Sequence, residues 1–296
     1  MQKDQTLLTT LDEVPAETAD PAAVLRAIGL MRSRTGEALT LNDLADAAYS
    51  SPFHFLRTFT RTTGLSPGRF LGALRLKVAV RLLLTTDLPV TEVCFESGYN
   101  SLGTFTRRFA EVIGVPPGRL RHGAARPEID RQPPAGLPPL FPATGGATVR
   151  GRLRPGAEPA AARLLFVGLF TANYPQGVPV ACALLRAPGP FALRHVPDGT
   201  YHLLAAAAPA DLTALDTLWQ SFLGDPELLA GSLKTPLVVT AGAVFGPTDL
   251  DLRPPRPTDP PLLSCLPLLL GRESARAEPR AGRAAGSLHD GFLAFD

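Results

Sequence analysis

Apolar residues in the first 125 positions recur three and four residues apart, which is the spacing of one face of an α-helix. Val24, Ile28 and Met31 form the first such face. Capping hydroxyl residues, prolines and glycines interrupt the pattern and divide it into short helices. The predicted helices lie at 21–36, 41–48, 52–63, 67–86, 90–97, 101–113 and from 117 onward.

A fifty-residue repeat underlies this pattern. The segments SPFHFLRTFTRTTGLSPGR, which begins at Ser51, and SLGTFTRRFAEVIGVPPGR, which begins at Ser101, are identical at eight positions. Each copy opens with a serine suited to cap a helix, places two phenylalanines four residues apart, and reaches a glycine that can end the helix. A repeated segment implies a repeated structural unit. The phenylalanines predicted to be core residues are Phe55, Phe59, Phe105 and Phe109.

Each repeated helix follows a shorter helix after a tight turn, and it carries outward arginine. That arrangement is a helix-turn-helix. The two predicted units, 41–63 and 90–113, are joined by one long helix that begins at Pro67. Its twenty or so residues span about 30 Å. Successive major grooves on one face of DNA are about 34 Å apart, so the length suits two units that read adjacent grooves.

Residues 20–123 resemble the DNA-binding module of AraC/XylS-family transcription regulators. The most specific match is GY-x-S-x-x-x-F-x-R-x-F followed by G-x-x-P, from Gly98 to Pro117. The resemblance covers about a third of the chain. It implies a seven-helix fold with two helix-turn-helix units, double-stranded DNA as the partner, and RNA polymerase as a partner to be tested.

Matching the chain to that family motif position by position indicates which side chains face DNA. Arginine can hold a guanine edge through two hydrogen bonds and threonine can contact a thymine methyl, whereas phenylalanine and leucine offer only apolar contact. Base readout is therefore expected to depend on a few arginines and on DNA shape. The alternative for each arginine is an ordinary solvated surface charge. The base-contact candidates are Phe53, Leu56, Arg57, Leu102, Gly103, Thr104 and Arg107. The phosphate-contact candidates are Thr40, Ser51, Arg61, Ser101, Thr106 and Arg108.

The net charge of +2 is unevenly distributed. Residues 1–19 carry −3, residues 20–125 carry +5, and residues 126–296 are neutral. The excess positive charge therefore lies with the repeat, where a polyanion is expected to bind. It is moderate in size and does not exclude other partners.

Composition changes after the last predicted helix. Six prolines between 127 and 142 predict a semi-stiff linker over 124–146, with few contacts between the two halves of the chain. Beyond the linker, short alternating or apolar segments predict strands. These lie at 147–154, 163–171, 180–185, 191–195, 201–206, 237–243 and 250–253, with helices inserted at 212–222 and 226–233.

The segment FALRHVPDGTYHLLAAA, which begins at Phe191, resembles the F-x-L-x-x-(L/V)-P-x-G-x-Y strand–turn–strand of carboxypeptidase-regulatory-like domains. Those domains are small immunoglobulin- or transthyretin-like β-sandwiches. The resemblance implies such a sandwich over 147–254, from which the two inserted helices depart. Gly199 is expected in a turn with positive φ, and Tyr201 is expected to pack while its hydroxyl reaches a backbone group. The predicted architecture is multidomain α + β, and the sandwich is a candidate sensor, dimerisation module or partner-binding module for a small-molecule or protein effector.

Other function classes have little support in the sequence. Three scattered cysteines do not suit a disulfide framework or a four-ligand zinc site, and His195 and His202 lack further metal ligands. The sequence has no phosphate-binding glycine loop, no G-x-S-x-G nucleophile elbow and no H-E-x-x-H zinc motif. No enzyme activity, cofactor or metal is therefore expected. No apolar run reaches membrane length, so a cytoplasmic location without membrane contact is expected. Residues 1–19 are interpreted as a flexible leader and 255–296 as a proline-rich, mostly disordered tail.

Two alternatives give the sandwich the main role. In one it binds a saccharide or a protein, with the helical module as its address on DNA. In the other it is a hydrolase. A ligand-dependent change in DNA affinity favours the regulator, whereas turnover without DNA favours the hydrolase.

Overall fold

The structure is a computed structural model. It describes residues 21–124, 146–156, 163–174, 176–177, 179–209, 229–233 and 235–261. The leader, most of the linker, the helix predicted at 212–222 and the end of the tail lie outside these residues.

Seven helices form the first half of the described chain, as the repeat predicts. Side-chain caps set the N-termini of several of them: Thr40 and Asp43 form a reciprocal capping box, and the hydroxyls of Ser51 and Ser101 each accept a hydrogen bond from a backbone N–H. The helices are α1 (Pro21–Ser33), α2 (Leu41–Ala47), α3 (Pro52–Thr63), α4 (Pro67–Thr85), α5 (Val90–Glu96), α6 (Leu102–Ile113) and α7 (Pro117–Ala124).

Both repeated helices end in the same way. Gly64 follows α3 and Gly114 follows α6, with φ of 75° and 93°. These values lie in the left-handed region that glycine adopts at little cost, so each helix stops at the residue where the repeat predicts a stop.

The helical half contains two hydrophobic cores, one for each helix-turn-helix unit. The first core is built from α1, α2, α3 and the start of α4, and the second from the rest of α4 with α5, α6 and α7. The four repeated phenylalanines are fully buried, as predicted, with ring centroids 5.4 Å apart in α3 and 5.5 Å apart in α6. Because α4 contributes to both cores, it sets the relative placement of α3 and α6.

The second half of the described chain is β-rich. Its strands are β1 (Ala147–Arg154), β2 (Arg163–Phe170), β3 (Ala181–Leu185), β4 (Gly189–Val196), β5 (Gly199–Pro209), β6 (Leu229–Ser232), β7 (Leu237–Thr240), β8 (Ala243–Phe245) and β9 (Leu250–Asp251). They form one sheet in the order β4-β1-β9 and a second in the order β3-β2-β5-β7-β8, with β6 also paired to β5. Residues of both sheets share one hydrophobic core. Pairing is antiparallel except between β1 and β9.

The strand predictions are confirmed, with three corrections. Leu229–Ser232 is strand β6, so the helix predicted at 226–233 is wrong there, because these residues pair with β5. The segment predicted as one strand at 237–243 turns at Ala241 and Gly242, both with positive φ, and continues as β8.

The third correction concerns Gly199, which is the first residue of β5 and does not have positive φ. A Cβ at this position would lie 2.7 Å from the Tyr201 Oη, so close approach of a ring is the reason for glycine here. The prediction for Tyr201 is confirmed: the ring is buried and its hydroxyl donates to the Pro197 carbonyl at 3.1 Å.

The expectation of few contacts between the halves stays a prediction, but the structure describes specific contacts that cross between them. The segment between β2 and β3 is termed the β2–β3 loop, of which the structure describes residues 171–174, 176–177 and 179–180. Tyr174 of this loop is buried in the first core, beside residues of α3 and α4. A proline-rich linker therefore connects two halves that nevertheless pack against each other.

Candidate nucleic-acid interface

Helix α3 presents one face to the first core and the opposite face to solvent. With Phe55 and Phe59 buried, the predicted base-contact residues fall on the outer face: Phe53 is 75% exposed, and Leu56 and Arg57 are also exposed. The guanidinium of Arg57 lies 5.8 Å from the centroid of the Phe53 ring, within cation–π range. The outer face of α3 therefore combines an apolar ring with a cation.

Helix α6 repeats this arrangement in the second unit. Leu102, Gly103 and Thr104 are exposed in its first turn, and the Arg107 side chain is 76% exposed one turn later. A Cβ at Gly103 would have no atom within 4 Å, so the surface there is open. Arg107 Nε lies 4.0 Å from Glu111 Oε1, an exposed contact that contributes little to stability. The guanidinium is thus available to a guanine edge or a phosphate.

The structure places the predicted base-contact side chains of each unit together, in the first half of a recognition helix. The set Phe53, Leu56 and Arg57 belongs to α3, and the set Leu102, Gly103, Thr104 and Arg107 belongs to α6. Which of these residues contact bases stays a prediction.

Three of the four hydroxyl candidates for phosphate contact act as helix caps. The Thr40 side chain accepts from Asp43 N–H. The backbone N–H and the hydroxyl of Thr40 both donate to the Asp43 carboxylate, and these two bonds lower the pKa of Asp43 below its usual range. Ser51 and Ser101 accept from the N–H groups of His54 and Thr104. These hydroxyls order the helix N-termini, where backbone N–H groups and the helix dipole favour an anion.

The other phosphate candidates differ in exposure. Arg61 is exposed in the last turn of α3, whereas Thr106 is half-buried. The Arg108 side chain is only 33% exposed, and it donates to Glu111 Oε2 at 3.4 Å and to Tyr174 Oη at 3.5 Å. Arg108 thus faces the β2–β3 loop as well as its own helix.

Tyr49 is an exposed aromatic residue that sequence reasoning missed. It lies in the turn between α2 and α3, is 85% exposed, and has a φ of 53°. The Arg26 guanidinium lies 4.9 Å from its ring centroid and donates to the Ala47 and Ala48 carbonyls at the end of α2. The sequence carries no signal for this exposure, because a tyrosine beside an apolar helix is ordinarily expected to pack.

The remaining candidates for chemistry are structural. Burial raises the pKa of the Cys94 thiol and lowers the pKa of His202. Within the described residues, no group of three or more histidines, cysteines or carboxylates could hold a metal ion. None of the helices among the described residues has the length and apolar character of a membrane span.

Comparison with known proteins assigns the helical half. A family model described as a helix-turn-helix domain matches residues 44–123. The uncharacterized helix-turn-helix-type transcriptional regulator YobQ of Bacillus subtilis is 33% identical over 95 residues, which are 32% of this chain and 39% of that protein. The helix-turn-helix-type transcriptional regulator Rv1931c of Mycobacterium tuberculosis is 33% identical over 94 residues, 32% of this chain and 36% of that protein. The chain therefore spans well under half the length of these relatives.

A solved structure also matches part of this chain. The DNA-binding domain of AdpA, a global transcriptional factor solved in complex with a target DNA, is 30% identical. The match covers 36% of this chain and 97% of that domain, with a TM-score of 0.34. On the family model and the two regulators, residues 44–123 of this chain are a helix-turn-helix DNA-binding domain of the AraC family.

Proposed function

We propose that this chain is a transcription regulator that binds an asymmetric double-stranded DNA site as a monomer, with α3 and α6 in successive major grooves. The observation that carries the proposal is the repetition of one exposed arrangement on two helices held by α4. Arg57 of α3 and Arg107 of α6 occupy the same position of the repeat, and both are exposed. A single chain with two such helices does not need a palindromic site, whereas a dimer of single-unit proteins does.

The division of labour within the interface follows from the chemistry of the side chains. Arg57, Arg107 and Thr104 have the groups that can read base edges, while Phe53, Leu56 and Leu102 supply apolar contact. The capped N-termini of α3 and α6 and the cation of Arg61 suit phosphate contacts, which position the protein without reading sequence. Affinity for any duplex is then expected to fall steeply with salt.

We further propose that the β-rich half is an immunoglobulin- or transthyretin-like sandwich that senses an effector or binds a partner, with RNA polymerase among the partners to be tested. Two features support this assignment. Both sheets contribute to one core, and the Tyr201 hydroxyl donates to the Pro197 carbonyl across the strand–turn–strand segment. The parallel pairing of β1 with β9 departs from an all-antiparallel sandwich.

The experiment that tests the proposal is selection of duplexes from a random-sequence pool by the full-length chain, followed by footprinting. We expect one asymmetric site with two protected half-sites about one helical turn apart. A palindromic site, or a footprint that covers a single half-site, would contradict monomeric binding through both units. Failure to enrich any sequence would contradict specific DNA binding.

A further inference from the structure

The β2–β3 loop contacts the first helix-turn-helix unit beyond the end of α3. Tyr174 is 4% exposed and packs in the first core, and the Asn173 side-chain amide donates to the Gly64 carbonyl at 2.7 Å. Gly64 is the residue at which α3 ends, and carbonyl groups at the end of a helix lack a partner within it. The loop therefore supplies a donor that α3 cannot supply itself.

The same loop contacts the second unit beside the end of α6. Gly177 N–H donates to the Val112 carbonyl, in the last turn of α6, at 2.6 Å. Arg108 of α6 donates to the Tyr174 hydroxyl at 3.5 Å, and that hydroxyl in turn donates to Gln176. One loop of the β-rich half thus holds the C-terminal ends of both recognition helices.

The fit on both sides is close. A Cβ at Gly64 would lie 2.7 Å from the Asn173 amide nitrogen, and a Cβ at Gly177 would lie 3.0 Å from the Glu111 carbonyl oxygen. These spacings leave little or no room for a Cβ at either glycine, so the loop and the two helix ends approach each other closely.

The loop leaves the proposed DNA-reading side chains uncovered. Phe53, at the start of α3, and Arg107, in the middle of α6, keep most of their surface exposed with the loop in place. The loop occupies the opposite ends of these helices. The loop therefore leaves these two side chains open to DNA while it is docked.

We propose that the β2–β3 loop is a positioning element for DNA recognition: by holding the ends of α3 and α6 together, it sets the spacing of half-sites that the chain accepts. This inference rests on the proposed function. When two binding units are held at a fixed separation, the second unit binds its half-site intramolecularly once the first is bound. The entropy of orienting the second unit has then already been lost on folding, so it does not weaken binding to DNA. Tyr174 is then a positioning residue, because it acts through the two helices and does not touch DNA.

The test uses the full-length chain and the duplex that it enriches from a random pool. Two altered duplexes are compared with it: one has a base pair inserted between the half-sites, and the other has the second half-site scrambled. The variants are Tyr174→Ala, which removes the ring from the first core, Asn173→Ala, which removes the bond to Gly64, and Tyr174→Phe, which keeps the ring as a matched control.

We expect Tyr174→Ala to weaken binding to the enriched duplex by about tenfold, because the effective concentration of the second unit falls when the units are free to move. The penalty for the inserted base pair should shrink in the same variant, and affinity for the scrambled duplex should stay unchanged. Asn173→Ala should weaken binding to the enriched duplex and reduce the spacing penalty by less, and should likewise leave affinity for the scrambled duplex unchanged. Tyr174→Phe, which keeps the buried ring and loses only the hydroxyl contacts to Arg108 and Gln176, should have the smallest effect of the three.

Three results would overturn the inference. An undiminished spacing penalty in Tyr174→Ala and Asn173→Ala would show that the loop does not set spacing. An equal loss on the scrambled duplex would show that Tyr174 only stabilises the first unit. Tighter binding would show that the loop obstructs DNA. Failure of the proposed function is distinguishable from all three, because the wild-type chain would then enrich no duplex. If Tyr174→Ala fails to fold, Asn173→Ala decides the matter by itself.

Discussion

Arg107 and Arg108 are neighbours on α6, but their surroundings give them different roles. Arg107 projects to solvent with only a long contact to Glu111, whereas Arg108 is half-buried between Glu111 and Tyr174. An arginine that reads a base must be free to align its planar guanidinium with the base edge. Arg107 meets that condition, and Arg108 is better placed to connect α6 with the β2–β3 loop.

We expect Arg107→Ala to weaken binding to the enriched duplex by about 1–3 kcal/mol and binding to random DNA much less, because a two-bond base contact is lost. Arg61→Ala is the matched control at a predicted phosphate contact. It should weaken binding to both duplexes about equally and reduce the salt slope by about one. Titration of both variants against both duplexes at several salt concentrations measures this. A parallel loss on both duplexes in Arg107→Ala would make Arg107 a phosphate contact.

His202 gives the β-rich half a pH dependence. Its Nδ1 is buried with no hydrogen-bond partner among the described residues, and burial lowers its pKa because the charged form is poorly solvated. In the unfolded chain histidine binds a proton near pH ~6.5, while in the folded chain it does so only at lower pH. The unfolded state therefore binds more protons as the pH falls below ~6.5, and the contribution of His202 to the stability of the fold is lost in that window.

We expect the full-length chain to unfold at lower denaturant concentration at pH 5.5 than at pH 7.5, and His202→Gln to remove part of that difference. His195→Asn is the control, because His195 is exposed and asparagine tolerates its positive φ. Denaturant unfolding followed by circular dichroism at both pH values measures the effect. Equal pH dependence in wild type and His202→Gln would mean that other groups cause it.

At the scale of elements, α4 connects the two units, and Arg75 is one of its polar contacts. The Arg75 guanidinium donates to the Thr35 and Glu37 carbonyls at 3.1 Å and 2.6 Å, which ties α4 to the connection between α1 and α2. Burial lowers the pKa of Arg75. Gly98, in the turn of the second unit, packs against the Arg75 guanidinium and the Thr35 carbonyl. A Cβ at Gly98 would lie within 3 Å of both groups, so no side chain fits there. Contacts made by α4 and by the β2–β3 loop thus act together on the relative placement of α3 and α6.

The turn between β4 and β5 depends on a glycine for steric reasons. We expect Gly199→Val to destabilise the β-rich half by roughly 1–3 kcal/mol through overpacking, because the Tyr201 ring is buried and its hydroxyl is bonded to Pro197, so the ring cannot withdraw. Gly189→Val is the matched control at the start of β4, where a Cβ would have no atom within 4 Å. Denaturant unfolding of both variants measures the difference. Equal stability of the two variants would show that the turn can absorb the added side chain.

At the scale of the whole molecule, we expect the stability of the helical half to depend on the presence of the β-rich half. Residues 1–126 alone should form helix and bind the enriched duplex, since both units keep their own cores. Without Tyr174 the first core is incomplete, so the fragment should lose about 1–3 kcal/mol of stability relative to the same module in the full chain. Thermal unfolding followed by helix circular dichroism measures this, with full-length Tyr174→Ala as the variant that should reproduce the loss. A fragment as stable as the full chain would show that the loop contributes nothing to the first core.

Much of the fold and of the candidate interface could be predicted from local sequence. Helix ends depend on residues a few positions away: a capping hydroxyl such as Ser51, and a glycine such as Gly64 that adopts left-handed φ. The outer faces of α3 and α6 follow from the phenylalanines on their inner faces, because helical periodicity relates the two. The alternation of apolar and polar residues likewise predicted where strands form. It did not predict which strands pair with each other.

Only the tertiary structure decided the features that depend on residues far apart in the chain. Asn173 lies 109 residues from Gly64 and Tyr174 lies 66 residues from Arg108, and no spacing rule connects such pairs. The steric reason for Gly199 required the position of the Tyr201 ring. Local sequence determines where elements begin and end because caps and periodicity act within one or two turns, whereas the docking of the β2–β3 loop depends on how two separately packed cores meet.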